Sequence, residues 1–361
     1  METFRLKTAV SFGTGALAAL EELSGQRVMV VTDNFLAGSG LLEKVMARLS
    51  GCAVETFTGV EPDPPLEVVA RGARALADFG PQAVVAFGGG SALDCAKAMV
   101  EYGKKLGAPA ETALWAVPTT AGTGSEVTSF AVLTDSKKGV KYPLVSEDLL
   151  PCRAVLDPVL LAGGPAGVTA DTGMDVLTHA AEAYVAKGAN VYTDALAEKA
   201  FVLAWRSLPA AFAGDQGARG EMLLASNLAG LAFNGAGLGL CHSMAHALGG
   251  KFHVPHGRLN AMLLPHVIRF NAGDSGAAGR YAGLARLCGL TPTARGLAFA
   301  VQRLCIRLGQ PDRLTACGVE PGQVRTCGDE VAAAALADPC APSNPRSATA
   351  QDVRAILREL A

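Results

Sequence analysis

The sequence lacks the features that mark several large classes of protein. No apolar run approaches the roughly 20 residues needed to cross a bilayer, and no long run of charge has a single sign. The nine cysteines are scattered and form no C-x-x-C pair, which argues against a disulfide framework or a thiolate zinc site. Residues 1–10 lack the apolar segment of a signal peptide and are typical of an edge strand. We therefore expect a cytoplasmic protein that binds neither membrane nor nucleic acid.

The sequence does contain enough apolar material for two buried cores. It has 361 residues, of which 50% are hydrophobic and 18% charged, and its formal net charge is −2. A chain of this length is typical of two domains. Because the composition changes after Asp157-Pro158, the predicted domains are residues 1–160 and 161–361.

The first predicted domain alternates short apolar runs with amphipathic segments. Residues 28–31, 83–87 and 114–117 predict buried strands, and residues 66–79 predict a helix. This alternation indicates a Rossmann-like α/β domain with a doubly wound parallel sheet. Polar residues 134–139 predict the turn of a hairpin within residues 130–145. The second domain is predicted to be all-helical, with Gly235, Gly237 and Gly239 between helices.

A glycine-rich turn follows the predicted strand at residues 83–87. Gly88, Gly89 and Gly90 allow close backbone approach to a pyrophosphate, and the start of the next helix favours its negative charge. Ser91 is predicted to cap that helix, with Asp94 in the reciprocal position. Taken alone, the segment fits an ordinary capped turn equally well, because it is not a G-x-G-x-x-G motif.

Two further segments at strand ends point to the same ligand. Asp33 follows the first apolar run, where a carboxylate can accept hydrogen bonds from ribose hydroxyls and repel a 2′-phosphate, which favours NAD over NADP. Residues 118–126 form a loop rich in hydroxyls and glycine before a predicted helix, and Thr119, Thr120 and Thr123 can donate to phosphate or to the nicotinamide amide. Each segment alone also fits a solvated loop. Together they favour a shared nucleotide.

The histidines indicate a metal site in the second domain. All six lie between residues 179 and 266. Asp175 and His179 are spaced i, i+4, as are His242 and His246. On a helix, this spacing puts two side chains on one face. His256 follows in a predicted loop. Carboxylate and imidazole suit divalent iron, zinc, nickel or manganese. A single such pair is more often a surface pair, and we interpret His253 and His266 as structural.

With these residues in place, the sequence resembles the iron-containing (group III) alcohol dehydrogenases over nearly its whole length. The motifs that carry the resemblance are Val31-Thr32-Asp33, Gly88-Gly89-Gly90-Ser91, residues 118–126, Gly173-Met174-Asp175, His179-Ala180, Gly237-Leu238-Gly239, His242, His246, Pro255-His256-Gly257 and Asn344-Pro345-Arg346. Within the family, residues 139–144 and 171–179 are most similar to the 1-propanol dehydrogenases of bacterial microcompartments. One departure is Asp63, since many members have asparagine there.

The resemblance implies a dehydroquinate synthase-like fold, NAD and Fe²⁺ as cofactors with Zn²⁺ as the alternative metal, and specific site residues. The implied metal ligands are Asp175, His179, His242 and His256, and His246 is implied as a catalytic residue near the reacting carbon. The implied cofactor contacts are Asp33, Gly88, Gly89, Gly90, Ser91, Asp94, Thr119, Thr120, Thr123, Val132 and Lys141.

We hypothesise that the protein interconverts a small primary alcohol, such as 1-propanol, and its aldehyde by hydride transfer to or from NAD, with the metal as Lewis acid. Three alternatives remain open: a zinc-dependent polyol dehydrogenase of glycerol type, a lyase resembling dehydroquinate synthase, and a non-catalytic metal-binding assembly component. We expect a homodimer paired through the edge strand near residues 3–10. Microcompartment enzymes or shell proteins are further expected partners.

Overall fold

Strands and helices alternate through the first part of the chain. The computed structural model describes residues 3–137 and 140–361, without the side chains of Val140 and Tyr142, and the chain divides into two units, Met1–Ala162 and Gly163–Ala361. The strands of the first unit are Ala9–Phe12 (β1), Arg27–Asp33 (β2), Ala53–Val60 (β3), Ala83–Gly88 (β4), Ala113–Pro118 (β5), Phe130–Asp135 (β6), Val140–Val145 (β7) and Arg153–Leu156 (β8). Its α-helices are Asn34–Ala37 (α1), Leu41–Arg48 (α2), Leu66–Phe79 (α3) and Gly90–Lys105 (α4).

A parallel sheet forms the core of the first unit, in the order β1-β8-β5-β4-β2-β3. Its central strands are short and rich in valine, and residues 28–31 and 83–87 are buried because helices cover both faces of such a sheet. β6 and β7 form the predicted antiparallel hairpin, although Lys138 and Gly139 of its turn lie outside the described residues. The predicted parallel α/β fold is confirmed for this unit.

The edge strand is shorter than predicted and begins later. We expected it near residues 3–10, but β1 comprises Ala9–Phe12, and the described residues before it form no strand. The reason is its partner: β8 has four residues and pairs with β1 from Ala9 opposite Arg153 to Phe12 opposite Leu156. β1 does lie at one edge of the sheet.

The described part of the second unit is helical, as predicted. Its α-helices are Ala166–Val185 (α5), Val191–Phe212 (α6), Gln216–Ala236 (α7), Leu240–Phe252 (α8), His256–Asn271 (α9), Ser275–Leu287 (α10), Ala294–Arg307 (α11), Pro321–Thr326 (α12), Gly328–Ala337 (α13) and Ala350–Glu359 (α14). α5 packs against α6, α7 and α9 and is buried from Gly173 to Val185. Any polar side chain on this stretch therefore needs a partner inside the protein.

A sharp bend separates α7 from α8. The two helices meet at 103°, and Gly237 adopts a positive φ of 85° after the last residue of α7. Gly239 precedes α8, whereas Gly235 lies inside α7 and does not join helices as we expected. In the described chain, no single helix is long and apolar enough to cross a membrane; the bent α7–α8 pair meets that test by length and composition alone.

Candidate metal and nucleotide sites

The residues predicted to bind the nucleotide lie at the point in the sheet where the strand order reverses. β3 extends the sheet on one side of β2, whereas β4 and β5 extend it on the other. Ligands of open parallel sheets bind beyond the carboxyl ends of strands at such a reversal. Asp33 ends β2 and Gly88 ends the adjacent β4, so the topology places both predicted residues at this position.

The turn after β4 requires glycine for steric reasons. Gly88 has a φ of 153°, and a Cβ atom there would lie 2.6 Å from the Cβ atom of Ala92. At Gly90, a Cβ atom would lie 2.6 Å from Cγ2 of Thr123. The bare backbone at the start of α4 is therefore closely surrounded. Its helix dipole favours an anion such as a pyrophosphate.

The predicted capping role of Ser91 and Asp94 is wrong. α4 begins at Gly90, and Ser91 lies in its first turn, where Oγ accepts the backbone N–H of Asp63 at 3.3 Å. The carboxylate of Asp94 accepts Oγ–H of Ser125 at 2.6 Å and N–H of Val132 at 2.9 Å. The carboxylate of Asp94 therefore binds groups on the next loop and on β6 instead of capping the start of α4. Direct contact of Asp94 and Val132 with a cofactor remains a prediction.

The hydroxyl-rich loop adjoins the glycine turn. The N–H of Thr119 donates to the carbonyl of Gly88 at 2.9 Å, and the side chain of Thr120 lies 3.4 Å from where a Cβ of Gly89 would be. The helix expected after the loop is one short 3₁₀ turn, Ser125–Val127. The two loops predicted to share a ligand therefore touch each other.

Two acidic residues flank this region. Asp33 caps α1, since its Oδ1 accepts the N–H of Leu36 at 2.8 Å. Lys141 of β7 forms an ion pair with Asp63, with 2.6 Å between Nζ and Oδ1. Asp63 adopts a positive φ of 49°, a conformation that aspartate and asparagine tolerate better than most residues. Aspartate at position 63, where many family members have asparagine, therefore preserves the backbone geometry and adds a negative charge beside Lys141.

In the second unit, three of the four predicted metal ligands converge. Asp175 lies on α5, His242 on α8, and His256 is the first residue of α9 instead of lying in a loop. Nε2 of His242 and Nε2 of His256 lie 3.6 and 3.5 Å from Oδ1 of Asp175. Their ligand atoms all lie within 4.8 Å of one another, a separation that one metal ion can bridge.

A neighbouring amide shows that these atoms face a common point. Nδ2 of the buried Asn260 lies 2.7 Å from Oδ1 of Asp175, 3.2 Å from Nε2 of His242 and 3.1 Å from Nε2 of His256. The amide nitrogen carries two hydrogens, so it can donate to at most two of these three atoms at once. One carboxylate oxygen and two imidazole nitrogens that converge in this way fit a divalent transition metal.

The ring of His179, the fourth predicted ligand, stacks between two other rings. Its centroid lies 4.5 Å from that of His242 and 4.5 Å from that of Phe233. Among the described residues, it is not part of the set whose ligand atoms lie within 4.8 Å. Its role as a ligand therefore remains a prediction, although α5 places it one turn from Asp175.

Charge also favours a cation at this point. Burial raises the pKa of the Asp175 carboxyl, but His179, His256 and His242 outweigh this effect and hold it below its ordinary value. Burial and the neighbouring imidazoles lower the pKa of His256 to about 3 against the opposing effect of Asp175, so this ring is neutral near pH 7. Burial lowers the pKa of His242, but hydrogen bonds with Asp175 and Glu182 outweigh it and raise the pKa to about 9. A metal ion that binds here therefore displaces a proton from this ring and leaves it neutral.

Sequence reasoning missed several residues that hold this cluster. Glu182 lies 2.5 Å from Nδ1 of His242, and Asp338 lies 2.8 Å from Nδ1 of His246. Glu182 could have been found, because it follows Asp175 by seven residues on the same helix face. Asn260 follows His256 by one turn of α9. Asp338 is 92 positions from its partner and has no local sequence signal.

The Asn344-Pro345-Arg346 motif has a structural role in this unit. Oδ1 of Asn344 accepts the N–H of Leu240 at 3.0 Å, at the start of α8. Asn344 also exchanges side-chain hydrogen bonds with Asn271, at 2.7 and 3.1 Å. The motif therefore fixes the helix that carries His242 and His246.

Comparison with known proteins agrees with this geometry. A family model described as "Iron-containing alcohol dehydrogenase" matches residues 7–158, and one described as "Fe-containing alcohol dehydrogenase family, C-terminal" matches residues 169–361. The chain belongs to the iron-containing alcohol dehydrogenase family. The predicted resemblance is therefore confirmed, as is the prediction of an NAD-dependent alcohol dehydrogenase, and membership implies NAD and Fe²⁺ as cofactors.

Curated relatives and solved structures match this chain over its full length. It is 45% identical over 370 residues to the 1-propanol dehydrogenase PduQ of Salmonella typhimurium and 44% identical over 373 residues to that of Citrobacter freundii, with 100% of each chain covered. The iron-containing alcohol dehydrogenase structure from Thermococcus thioreducens superposes with a TM-score of 0.93 at 34% identity, covering 99% of both chains. A 1,3-propanediol oxidoreductase structure also gives 0.93, at 37% identity and 100% coverage of both.

Proposed function

We propose that this alcohol dehydrogenase interconverts 1-propanol and propanal with NAD as its coenzyme. The single observation that carries its chemistry is the convergence of Asp175, His242 and His256 on one point. The choice of a three-carbon substrate rests on the two full-length relatives named 1-propanol dehydrogenase. No observation favours the polyol, lyase or scaffold alternatives.

Asp175, His242 and His256 would hold a divalent iron, with His179 as the proposed fourth ligand. The bound ion supplies Lewis-acid polarisation of the substrate oxygen. The residues themselves contribute one negative charge and neutral imidazoles, so the cation keeps part of its charge. Burial of Asp175 and His242 keeps water from competing for these ligand atoms.

His246 is the proposed proton carrier for the substrate hydroxyl. Its ring stacks on that of His256 with centroids 5.2 Å apart, and its side chain is partly exposed. Because the carboxylate of Asp338 accepts from Nδ1, the opposite nitrogen, Nε2, is left to exchange a proton with substrate or water. Asp338 thus orients the ring for this exchange.

The first unit would bind the coenzyme. The glycine turn at Gly88–Ser91 would receive the pyrophosphate, and Asp33 would accept hydrogen bonds from the adenosine ribose. Thr119, Thr120 and Thr123 would donate to the phosphates or the nicotinamide amide, with Lys141 nearby on β7. These assignments rest on topology and on the contact between the two loops.

We further propose a cytoplasmic homodimer that is enclosed in a bacterial microcompartment. The dimer would pair through β1, which lies at the edge of the sheet. Enclosure, with other microcompartment enzymes or shell proteins as partners, rests on resemblance alone.

An anaerobic assay tests the proposed activity. Enzyme loaded with Fe²⁺ should oxidise NADH with C2–C5 aldehydes, with the highest kcat/KM for propanal. His256→Ala should lose bound metal and turnover together, because it removes one of the converging ligands. His266→Ala is the matched control on the same helix, where His266 contacts Arg269 at 3.3 Å, and should retain both. Full turnover by metal-free His256→Ala protein would refute the proposal.

A further inference from the structure

A third chemically active side chain lies on the face of α5 that carries two proposed metal ligands. Asp175, His179 and Glu182 occupy positions i, i+4 and i+7, which project from one side of a helix. Glu182 is 1% exposed, so its carboxylate depends on protein groups for its hydrogen bonds. The helix thus presents a second buried acid in addition to Asp175, which faces the proposed ion.

Among the described residues, the hydrogen-bond partners of Glu182 lie at the start of α8. Oε2 lies 2.5 Å from Nδ1 of His242 and 3.4 Å from its backbone nitrogen, and Oε1 accepts the N–H of Cys241 at 2.7 Å. A Cβ atom at Gly239 would lie 2.9 Å from Oε1, so the carboxylate fills the space beside this turn. Glu182 therefore fixes both the backbone that carries His242 and one edge of its ring.

The contact with Glu182 selects one tautomer of the His242 ring. A carboxylate only accepts, so Nδ1 carries the hydrogen that faces Glu182. At the opposite edge, Nε2 lies 3.6 Å from Oδ1 of Asp175, and a metal ion bound there would take its lone pair. That lone pair faces the point on which Asp175 and His256 also converge.

We propose that Glu182 is a positioning residue that sets the retention of the divalent metal, by holding the Nδ1–H tautomer of His242 and the first turn of α8. This inference rests on the proposed function. Carboxylates that orient metal-bound histidines in this way typically change metal affinity by about 10–100-fold when they are replaced. They also raise the basicity of the ligating nitrogen.

Glutamine at this position has the same shape but the wrong hydrogen-bonding groups. Its amide has one acceptor oxygen, whereas Nδ1 of His242 and the N–H of Cys241 each present a donor to a different carboxylate oxygen. Either two donors face each other or the imidazole adopts the Nε2–H tautomer. The second outcome points a hydrogen at the metal position and removes the lone pair.

Metal affinity of the full-length enzyme tests the proposal. Dissociation constants for Zn²⁺ and Fe²⁺ would be measured anaerobically by chelator competition for the wild type, Glu182→Gln and Glu198→Gln. Glu198 accepts from the hydroxyl of Tyr184 at 2.6 Å, so its replacement is a matched control within the same unit. Glu182→Gln should bind metal about 10–100-fold more weakly, and the control should match the wild type. Wild-type affinity in folded Glu182→Gln protein would overturn the proposal.

A measurement on the wild type keeps the proposal testable if the variant fails to fold. Histidine-selective ¹⁵N NMR of the Zn²⁺-loaded protein, with His242→Gln used for assignment, should show His242 protonated at Nδ1. A proton at Nε2 would overturn the inference. Loss of metal from His256→Ala but not from Glu182→Gln would refute this role alone, whereas unchanged metal binding and turnover in His256→Ala would refute the proposed function itself.

Discussion

Replacing Gly257 with alanine gives a direct test of how closely α9 must approach α5. Gly257 follows His256 in the first turn of α9, and a Cβ atom there would lie 2.1 Å from the carbonyl oxygen of Asp171. It would also lie 2.7 Å from the carbonyl carbon. Both are backbone atoms of α5, so no side-chain rotation relieves the overlap.

The size of the required shift follows from these distances. Real Cβ contacts essentially never fall below 3.0 Å, so the start of α9 must move by about 1 Å relative to α5. His256 lies on α9 and Asp175 on α5, and their ligand atoms are 3.5 Å apart. A misplacement of about 1 Å in a catalytic site costs on the order of 100-fold in rate. We expect kcat/KM for propanal to fall by about that factor, with bound metal lost in parallel.

Gly250→Ala is the matched control for this experiment. Gly250 lies inside α8, where an added Cβ has no atom within 4 Å. Alanine there should raise helix stability by about 0.5–1 kcal/mol and leave metal content unchanged. Metal analysis, steady-state kinetics and thermal melting would be compared for both variants. If Gly257→Ala retained metal and activity at wild-type levels, the close approach of the two helices would not position the site.

Two further predictions concern the first unit. Asp33→Asn keeps a helix-capping side chain but removes the charge, so the ratio of kcat/KM for NADPH to that for NADH should rise about 10-fold or more; an unchanged ratio would remove Asp33 from coenzyme selection. Lys97 is buried and donates to the carbonyls of Thr128 and Phe130 at 2.8 and 2.7 Å, so Lys97→Met should cost about 2–4 kcal/mol of unfolding free energy. Burial also lowers the pKa of Lys97 from 10.5 to about 8, so between these values the unfolded chain binds the additional proton. The stability of the wild type relative to Lys97→Met should therefore rise with pH in this window, and urea unfolding at pH 8 and pH 10 that showed no such rise would contradict the assignment.

The sequence predicts the sheet well because its signal is local. Residues 83–87 are apolar on both faces, as a central parallel strand must be, and the observed β4 differs from the prediction by one residue. The predicted helix at residues 66–79 has the same bounds as α3 because the helical periodicity of its apolar residues and the following Gly80 are local features.

The site could be predicted only where two of its residues lie on the same helix at a regular spacing. Asp175 and His179 share a face of α5, so their proximity follows from helix geometry. Asp338 and Asn344 reach the site from distant parts of the chain, and tertiary packing alone brings them there. Ser91 and Asp94 show the opposite error, because Asp63 binds the hydroxyl of Ser91 and Ser125 and Val132 bind the carboxylate of Asp94 in place of the local capping partners.

The hydrogen bond between Asn344 and Leu240 bears on how the protein is made. The two residues are 104 positions apart, and Leu240 lies only two residues before His242. During translation, the ribosome must therefore add 104 further residues after Leu240 before this helix start acquires its cap. We expect a nascent chain released short of Asn344 to incorporate iron poorly.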